Sequence, residues 1–362
     1  MSDIRPFAAR VVRPEWAHRT VVALTELPEG TSVAPATETI DSSAYDEASP
    51  ALYAYRQERD GLFHVGVVCE VGLRAFVDGR VRGHEAVQES RVRALVRHHA
   101  TTSAPPALVA LLHRPGEAFA RTLAGLDTRS PILDFAGPEG RQQAVWRLPD
   151  GAATRGLVDE LAAADLYLAD GHHRVAAAVS EWREGAWSEE AGLLCIVHAM
   201  DGLRLSAFHR RVVGPVRRDQ LMAALDRGFE VTRCETAPLV TPGSFGLYVA
   251  GDWFRVRAEP MRTDRPHRLD VEVLREGVLG PLGRGIEFAS AQDSVEDLSR
   301  RCDEDDGALF TLAPPPLTEL TRLADAGEVM PPKTTYFEPK PCAGVFLRSS
   351  ATVPAPTGDV IR

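Results

Sequence analysis

The sequence predicts a mixed α/β fold of the α+β class, built from two or three domains. With 362 residues, of which 44% are hydrophobic, the chain is larger than one compact core. β-rich runs at Leu52–Tyr55 and Phe63–Val68, closed by an Asp78-Gly79 turn, predict an antiparallel sheet. Strand and helix then alternate between Gly156 and Val197, which indicates an α/β layer whose ligands bind at the carboxyl ends of its strands.

Hydrophobic periodicity predicts the central elements in order. Apolar residues at helical spacing predict a helix from Glu85 to about His99, and an apolar run predicts a buried strand at 107–112. A short strand, Leu166–Ala169, leads through the turn Asp170–Arg174 into an alanine-rich helix, and Leu193–Val197 forms the next strand.

The hydrophobic pattern in the last third of the chain predicts a separate α+β domain. Its helices are expected at 219–229, 271–279 and 316–326, and its strands at 246–249, 253–256 and 308–312. The residues from Ser349 onward are rich in Thr, Pro and Gly and are expected to fray. We therefore divide the chain into a β-rich region (1–82), a central core (83–214), a C-terminal α+β domain (215–348) and a flexible tail (349–362).

Charge and composition exclude several classes of protein. The formal net charge is −10 and the pI is about 5.6, which disfavours binding to a nucleic-acid backbone. No apolar run is long enough to span a membrane, and the first 25 residues contain no signal peptide, so we expect a cytoplasmic protein. The five cysteines are odd in number and scattered without a C-x-x-C pair, which predicts reduced thiols.

The turn Asp170-Gly171-His172-His173-Arg174 is the first candidate site. A strand that ends in glycine and opens into a helix presents backbone N–H groups at the positive end of the helix dipole. The two histidines and the arginine add donors suited to phosphate oxygens. The alternative is that Asp170 only caps the helix while the basic residues lie in solvent. A cap explains the aspartate but not three consecutive cationic or titratable side chains at that end of the dipole.

Two shorter motifs are candidates for the substrate side. His84-Glu85 is expected at the start of the helix that contains Arg91, and a carboxylate near a phosphate site can orient or deprotonate a hydroxyl. By periodicity alone, Glu85 is only an acid favoured at a helix start. His209-Arg210 forms another basic cluster, which by itself is typical of solvated surface.

Lysine usage points to one further segment. Of the 41 basic residues only Lys333 and Lys340 are lysines, and both lie in one short stretch near the C-terminus. A lysine kept in an arginine-rich chain suggests a need for a compact ammonium, although chance placement explains the pair as well.

In their order along the chain, these motifs resemble those of a bacterial family known as domain of unknown function 1015. The likeness spans about residues 50 to 348 and rests on His84-Glu85, Arg91, 169–174, His209-Arg210 and 330–340. The central part is also similar to the ParB/sulfiredoxin superfamily, which places nucleotide phosphates on a D-G-x-x-R turn. Free serine kinases of that superfamily carry an H-E segment before such a turn, and their glutamate acts on the serine hydroxyl.

The resemblance implies a small-molecule kinase that transfers phosphate from ATP or ADP, with Mg²⁺, to the hydroxyl of a free amino acid, serine above all. It implies catalytic roles for Glu85, His172 and Asp170, with Asp170 also a metal ligand. Nucleotide would contact Gly171, His172, His173, Arg174 and Arg91. The substrate side would comprise His84, His209, Arg210, Lys333 and Lys340.

Two departures from the family pattern leave another function open. The first 60 residues lack a P-P-Y-D segment and an N-P element, and the helix after the turn reads Val175-Ala176-Ala177-Ala178 where relatives often have an aromatic residue and a glutamate. The alternative is a nucleotide-binding regulatory or interaction protein without catalysis, which needs the turn but not Glu85.

Overall fold

The computed structural model describes residues 3–23, 41–101, 108–226, 228–258, 269–283, 285–290 and 292–348. They divide into two compact units, Met1–Arg204 with Pro339–Arg362, and Leu205–Glu338. The mixed α/β class predicted from the sequence is confirmed. The domain boundaries proposed from the sequence stay a prediction, and the fraying expected from Ser349 onward lies outside the described residues.

The first unit contains most of the strands. In chain order they are β1 (Ile4–Arg5), β2 (Ala9–Val12), β3 (Tyr45–Glu47), β4 (Tyr53–Arg59), β5 (Leu62–Gly72), β6 (Val81–Arg82), β7 (Val109–His113), β8 (Leu133–Ala136), β9 (Gln142–Arg147), β10 (Leu166–Asp170) and β11 (Gly192–Ala199). Its helices are α1 (Pro14–Thr20), α2 (Leu73–Val77), α3 (Glu89–Thr101), α4 (Glu117–Ala124), α5 (Ala152–Ala163) and α6 (His172–Arg183).

The second unit begins within a strand that starts in the first. Its strands are β12 (Arg204–Ala207), β13 (His209–Val212), β14 (Phe229–Cys234), β15 (Ser244–Val249), β16 (Asp252–Ala258), β17 (Ile286–Ala289), β18 (Ala308–Leu312) and β19 (Thr335–Glu338). Its helices are α7 (Arg218–Leu225), α8 (Asp270–Leu274), α9 (Gly280–Leu282), α10 (Val295–Asp305) and α11 (Leu317–Asp325). A last strand, β20 (Phe346–Arg348), belongs to the first unit.

A nine-stranded mixed sheet organises the first unit. The strand order is β6-β10-β7-β11-β5-β4-β9-β8, and β1 pairs with β5. The predicted antiparallel pairing of the β-rich runs is confirmed, with Tyr53 opposite Val68. Within this sheet β10 runs parallel to β6, and β11 runs parallel to β7. A smaller sheet, β20-β2-β3, belongs to the same unit.

One face of the nine-stranded sheet carries the main core. Alternate residues of β7 and β11, such as Leu111 and Val197, point to this face because side chains alternate along a strand. Helices α2, α4, α5 and α6 supply the other layer, with side chains such as Phe119 and Leu157 almost fully buried. At about 25 cal/mol per Å² of buried apolar surface, this core is the main stabilising contribution to the first unit. It fixes the carboxyl end of β10 and the start of α6.

The second unit is built on a six-stranded sheet in the order β14-β16-β15-β18-β13-β17, whose recorded pairings are all antiparallel. Strand β18 matches the predicted bounds, 308–312. A second small core joins the sheet to α10 through Leu298 and Leu309. Among the described residues no helix is long and apolar enough to cross a bilayer. The five cysteines are free thiols, as predicted.

Candidate functional site

Parallel pairing of β6 and β10 brings the two central motifs together. Leu166 pairs with Val81 and Tyr167 with Arg82, so both strands end at the same edge of the sheet. His84 and Glu85, which follow β6, therefore meet His172, which follows β10 by two residues. A register shift between Leu168 and Asp170 bends the end of β10, as bulges near functional sites often do.

Glycine at position 171 makes the strand-to-helix turn possible. Gly171 has φ +106°, in the left-handed region, and α6 begins at the next residue. A Cβ at this position would lie 3.1 Å from Nη2 of Arg174 and 3.3 Å from Cγ2 of Val109. The first amides of α6 have no acceptor within their own helix, so this end can bind an anion.

Asp170 does not cap the helix. Its Oδ2 accepts a hydrogen bond from Nη2 of Arg174 at 2.6 Å, and its Oδ1 accepts one from Nζ of Lys340 at 3.0 Å. Burial favours the neutral acid, but the charges of Lys340 and Arg174 outweigh it and hold the pKa of Asp170 well below its usual range. We call Asp170, Arg174 and Lys340 the ion triad. Its formal charge is +1, from two cations and one carboxylate.

Two neighbours hold the ion triad in place. Nη1 of Arg174 donates to the carbonyl oxygen of Leu108 at 2.8 Å, which ties α6 to the start of β7. Gln57, buried on β4, donates through Nε2 to the carbonyl oxygen of Lys340 at 3.1 Å. Sequence analysis missed Gln57. It lies two residues beyond the predicted β-rich run at Leu52–Tyr55, so no pattern in the sequence identified it.

The histidines of the turn each accept a hydrogen bond through Nε2, and the role predicted for them as donors to phosphate stays a prediction. Nε2 of His172 accepts from the His84 amide at 3.3 Å, and Nε2 of His173 accepts from the Gln88 amide at 3.0 Å. Burial and the neighbouring His84 ring lower the pKa of His172 well below its ordinary value. The neutral ring then carries its proton on Nδ1.

Glu85 faces that proton. Its Oε2 lies 3.9 Å from Nδ1 of His172, longer than a hydrogen bond, and its side chain is only 16% exposed. The prediction that Glu85 starts a helix is wrong, because α3 begins at Glu89. Residues 83–88 are not helical, and the amides of His84 and Gln88 donate to the two histidines instead of to helix carbonyls. Arg91 therefore lies in the first turn of α3, and Glu85 precedes that helix.

His84 is fully buried beside the turn. Its ring packs edge-on against His172, with ring centroids 4.6 Å apart. Burial lowers the pKa of His84 to about 4, opposed by a hydrogen bond to the Leu168 backbone. His84 is thus a neutral packing partner of His172 at pH 7, and its predicted contact with substrate stays a prediction.

Three of the predicted substrate residues, His209, Arg210 and Lys333, belong to the second unit and interact there. Nδ1 of His209 accepts from the Leu312 amide at 3.2 Å, and burial lowers its pKa to about 4. Arg210 donates to backbone carbonyls, one of them that of Lys333. Nζ of Lys333 lies 4.6 Å from the ring centroid of Phe208. The substrate roles predicted for these side chains stay predictions.

Asp170 does not fit the predicted metal site. Its two oxygens already face one cation each, and a carboxylate between two cations is a poor ligand for Mg²⁺. The described residues contain no group of three or more His, Cys, Asp and Glu side chains that could hold a metal ion. In contrast, the net positive ion triad beside the start of α6 suits a phosphate group.

Comparison with solved structures finds distant neighbours. A mutant of a free serine kinase in complex with ADP has a TM-score of 0.44 at 15% identity, covering 78% of this chain and 91% of that one. SbnI with a C-terminal truncation from Staphylococcus aureus has a TM-score of 0.43 at 13% identity, with 78% and 87% coverage. A conserved hypothetical protein from Pyrococcus furiosus has a TM-score of 0.40 at 14% identity, with 78% and 94% coverage.

Comparison by sequence places the chain in a family. No curated protein matches it. The model of the family described as protein of unknown function (DUF1015) matches residues 38–273, which is more than half of the chain. This match confirms the resemblance inferred from the motifs, and we conclude that the chain belongs to the DUF1015 family.

Proposed function

We propose that the protein transfers a phosphoryl group from a nucleotide, ATP or ADP, to the hydroxyl of a free amino acid, L-serine in the first instance. The observation that carries the proposal is the position of Glu85. Its partly buried carboxylate lies beside the start of α6, 3.9 Å from the neutral imidazole of His172, and His172 is two residues along the chain from Asp170 of the ion triad. A proton acceptor and an anion-binding helix start are the two elements that such a transfer requires of a protein.

In this proposal the phosphates of the nucleotide lie at the start of α6. The amides of its first turn and the positive end of its dipole face the terminal phosphate oxygens. Lys340 adds a compact positive charge, while Arg174 holds the turn through Asp170 and Leu108. Mg²⁺ would come bound to the nucleotide phosphates, since the described residues offer it no site of their own.

Glu85 acts on the acceptor. Its carboxylate takes the proton of the amino-acid hydroxyl as the hydroxyl oxygen attacks the terminal phosphorus, and the bond to the leaving nucleotide oxygen breaks. The products are the O-phospho amino acid and the nucleotide with one phosphate fewer. The Nδ1 proton of His172 orients the carboxylate during this step.

The alternative is a protein that binds nucleotide without catalysis. It is favoured by one observation, that the guanidinium of Arg174 is engaged by Asp170 and Leu108. When the cations of a site already stabilise its turn, phosphate could be held there by the helix amides alone. The predicted membership of the ParB/sulfiredoxin superfamily is compatible with both functions and stays a prediction.

Phosphorus NMR of the whole chain with Mg²⁺, ATP or ADP and L-serine, threonine or homoserine tests the proposal. We expect a phosphomonoester product whose rate of formation falls about 10²- to 10⁴-fold in Glu85→Gln, with nucleotide affinity unchanged by calorimetry. Glu89→Gln is the matched control, because Glu89 is exposed, lies four residues away and pairs with Arg93 on the surface. If nucleotide bound but none of the acceptors gave a product, the proposed transfer would be refuted and the non-catalytic binding function would replace it.

A further inference from the structure

The second unit contains a cavity that the proposed reaction does not use. It has a volume of about 420 Å³, and the described residues that line it all lie between Ala207 and Thr334. Its wall is mostly apolar, formed by side chains that include Phe208, Leu269, Val271 and Leu312. This size and lining are typical of pockets for small molecules, in which a few polar groups fix the orientation of the ligand.

Arg210 is the buried cation of this cavity. It is 2% exposed, and its guanidinium lies 4.6 Å from the ring centroid of Phe288. Three of its five N–H groups go to the carbonyl oxygens of Phe208, His209 and Lys333. Within the described ranges no carboxylate lies at ion-pair distance from it. Burial lowers its pKa to about 10, so it remains a cation at pH 7.

Asp270 is the matching anion. It lines the same cavity, and both of its oxygens accept from the Gly243 amide at 3.0 Å. Burial raises its pKa, partly opposed by that hydrogen bond. Of the side chains that the structure describes, no cation lies at ion-pair distance from it, Arg210 included. Each charge is therefore left without a counter-charge, fully buried at Arg210 and partly buried at Asp270, and burying a charge is costly unless a ligand supplies its partner.

We propose that this cavity binds a free α-amino acid with an apolar side chain. The carboxylate of the ligand lies on the remaining N–H groups of Arg210, and its ammonium lies on Asp270. The apolar side chain packs against Phe208, Leu269 and Leu312. A zwitterion satisfies both charges at once, which neither a simple carboxylate nor an amine does.

Charge and size argue against other ligands. Among the described residues that line the cavity, one arginine and two carboxylates, Asp270 and Glu319, give a formal charge of 1 − 2 = −1, which disfavours a phosphate dianion. A serine molecule would leave most of the apolar wall uncovered. The site therefore goes beyond the proposed function, and the amino acid that it holds is not the phosphoryl acceptor.

Isothermal titration calorimetry on the whole chain tests the site. The probes are L-leucine, 4-methylpentanoate (leucine without its ammonium), 3-methylbutylamine (leucine without its carboxylate) and L-serine. We expect L-leucine to bind and each of the three others to bind at least about tenfold more weakly. Absence of leucine binding at millimolar concentration, equal binding of either truncated analogue, or tighter binding of serine would each overturn the inference.

Variants locate the binding. Asp270→Asn should weaken L-leucine about 10- to 100-fold while leaving the weak binding of 4-methylpentanoate unchanged. Asp226→Asn is the matched control, because Asp226 is exposed at the end of α7. Arg210→Lys keeps the charge but loses the planar fork, so it should weaken both leucine and 4-methylpentanoate. Circular dichroism of this variant checks that the unit still folds, and leucine binding that survives both Asp270→Asn and Arg210→Lys would refute the site.

Discussion

The end of β10 and the cavity of the second unit both bury charge, and they differ in how that charge is paired. At the end of β10, Asp170 lies between Arg174 and Lys340 at 2.6 and 3.0 Å. In the cavity, Arg210 and Asp270 have no counter-charge at ion-pair distance among the described residues. Paired charge fixes a backbone turn, whereas unpaired charge is available to a ligand. Two substitutions test this difference, and a pH experiment tests the neutral His84 ring that packs beside the paired charges.

The largest effect is expected from Asp170→Asn. The substitution leaves Arg174 and Lys340 close together without their shared anion, which should cost the first unit about 3 kcal/mol. Native-state hydrogen exchange of peptides from β10 and α6 measures the loss. Asp165→Asn, at the exposed start of the same strand segment, is the control and should cost less than about 1 kcal/mol. Equal losses in the two variants would show that the ion triad does not fix the turn.

A smaller effect is expected from pH. The folded-state pKa of His84 is about 4, below its ordinary 6.5, so the unfolded chain binds more protons between these values and stability falls as the pH falls through that window. From pH 7 to pH 5 this group alone should cost about 2 kcal/mol.

Urea unfolding of the wild type and of His84→Gln at the two pH values measures this contribution. The variant should lose about 2 kcal/mol less than the wild type over the interval. His18→Gln, at an exposed site on α1, should behave as the wild type does. If His84→Gln kept the full pH dependence, His84 would not be the buried neutral group described above.

The smallest effect is expected from Asp270→Asn, the counterpart of Asp170→Asn in the other unit. The raised pKa of Asp270 means that burial already opposes its charge, so removing that charge should change stability by less than about 0.5 kcal/mol. Hydrogen exchange of peptides from β15 and β16 gives the measurement. A loss comparable to that of Asp170→Asn would show that Asp270 has a structural partner after all.

Local pattern was enough to predict several elements. Strand 308–312 was predicted with its observed bounds, and the strand-turn-helix at Asp170–Arg174 was placed to within three residues. These elements depend on apolar runs, glycine and helical spacing, all of which are local properties of the chain.

Side-chain partners could not be predicted in the same way. The chain separates Asp170 from Lys340 by 170 residues, and their pairing depends on the register of the sheet and on the bend at the end of β10. The prediction that a helix starts at Glu85 was wrong for a related reason. His172 and His173 accept hydrogen bonds from the backbone amides of residues 84 and 88. No local pattern contains that information. Its source is the parallel pairing of β6 with β10.

The sequence position of Lys340 also sets when the turn is completed during synthesis. A ribosome has made Asp170 and Arg174 long before the lysine emerges, with the whole second unit translated in between. At about 5 to 20 residues per second the nascent chain spends roughly 10 to 30 seconds with Asp170 and Arg174 present and the third charge missing. A truncated translation product that stops short of residue 340 would therefore carry the sheet but lack the ammonium that completes the turn.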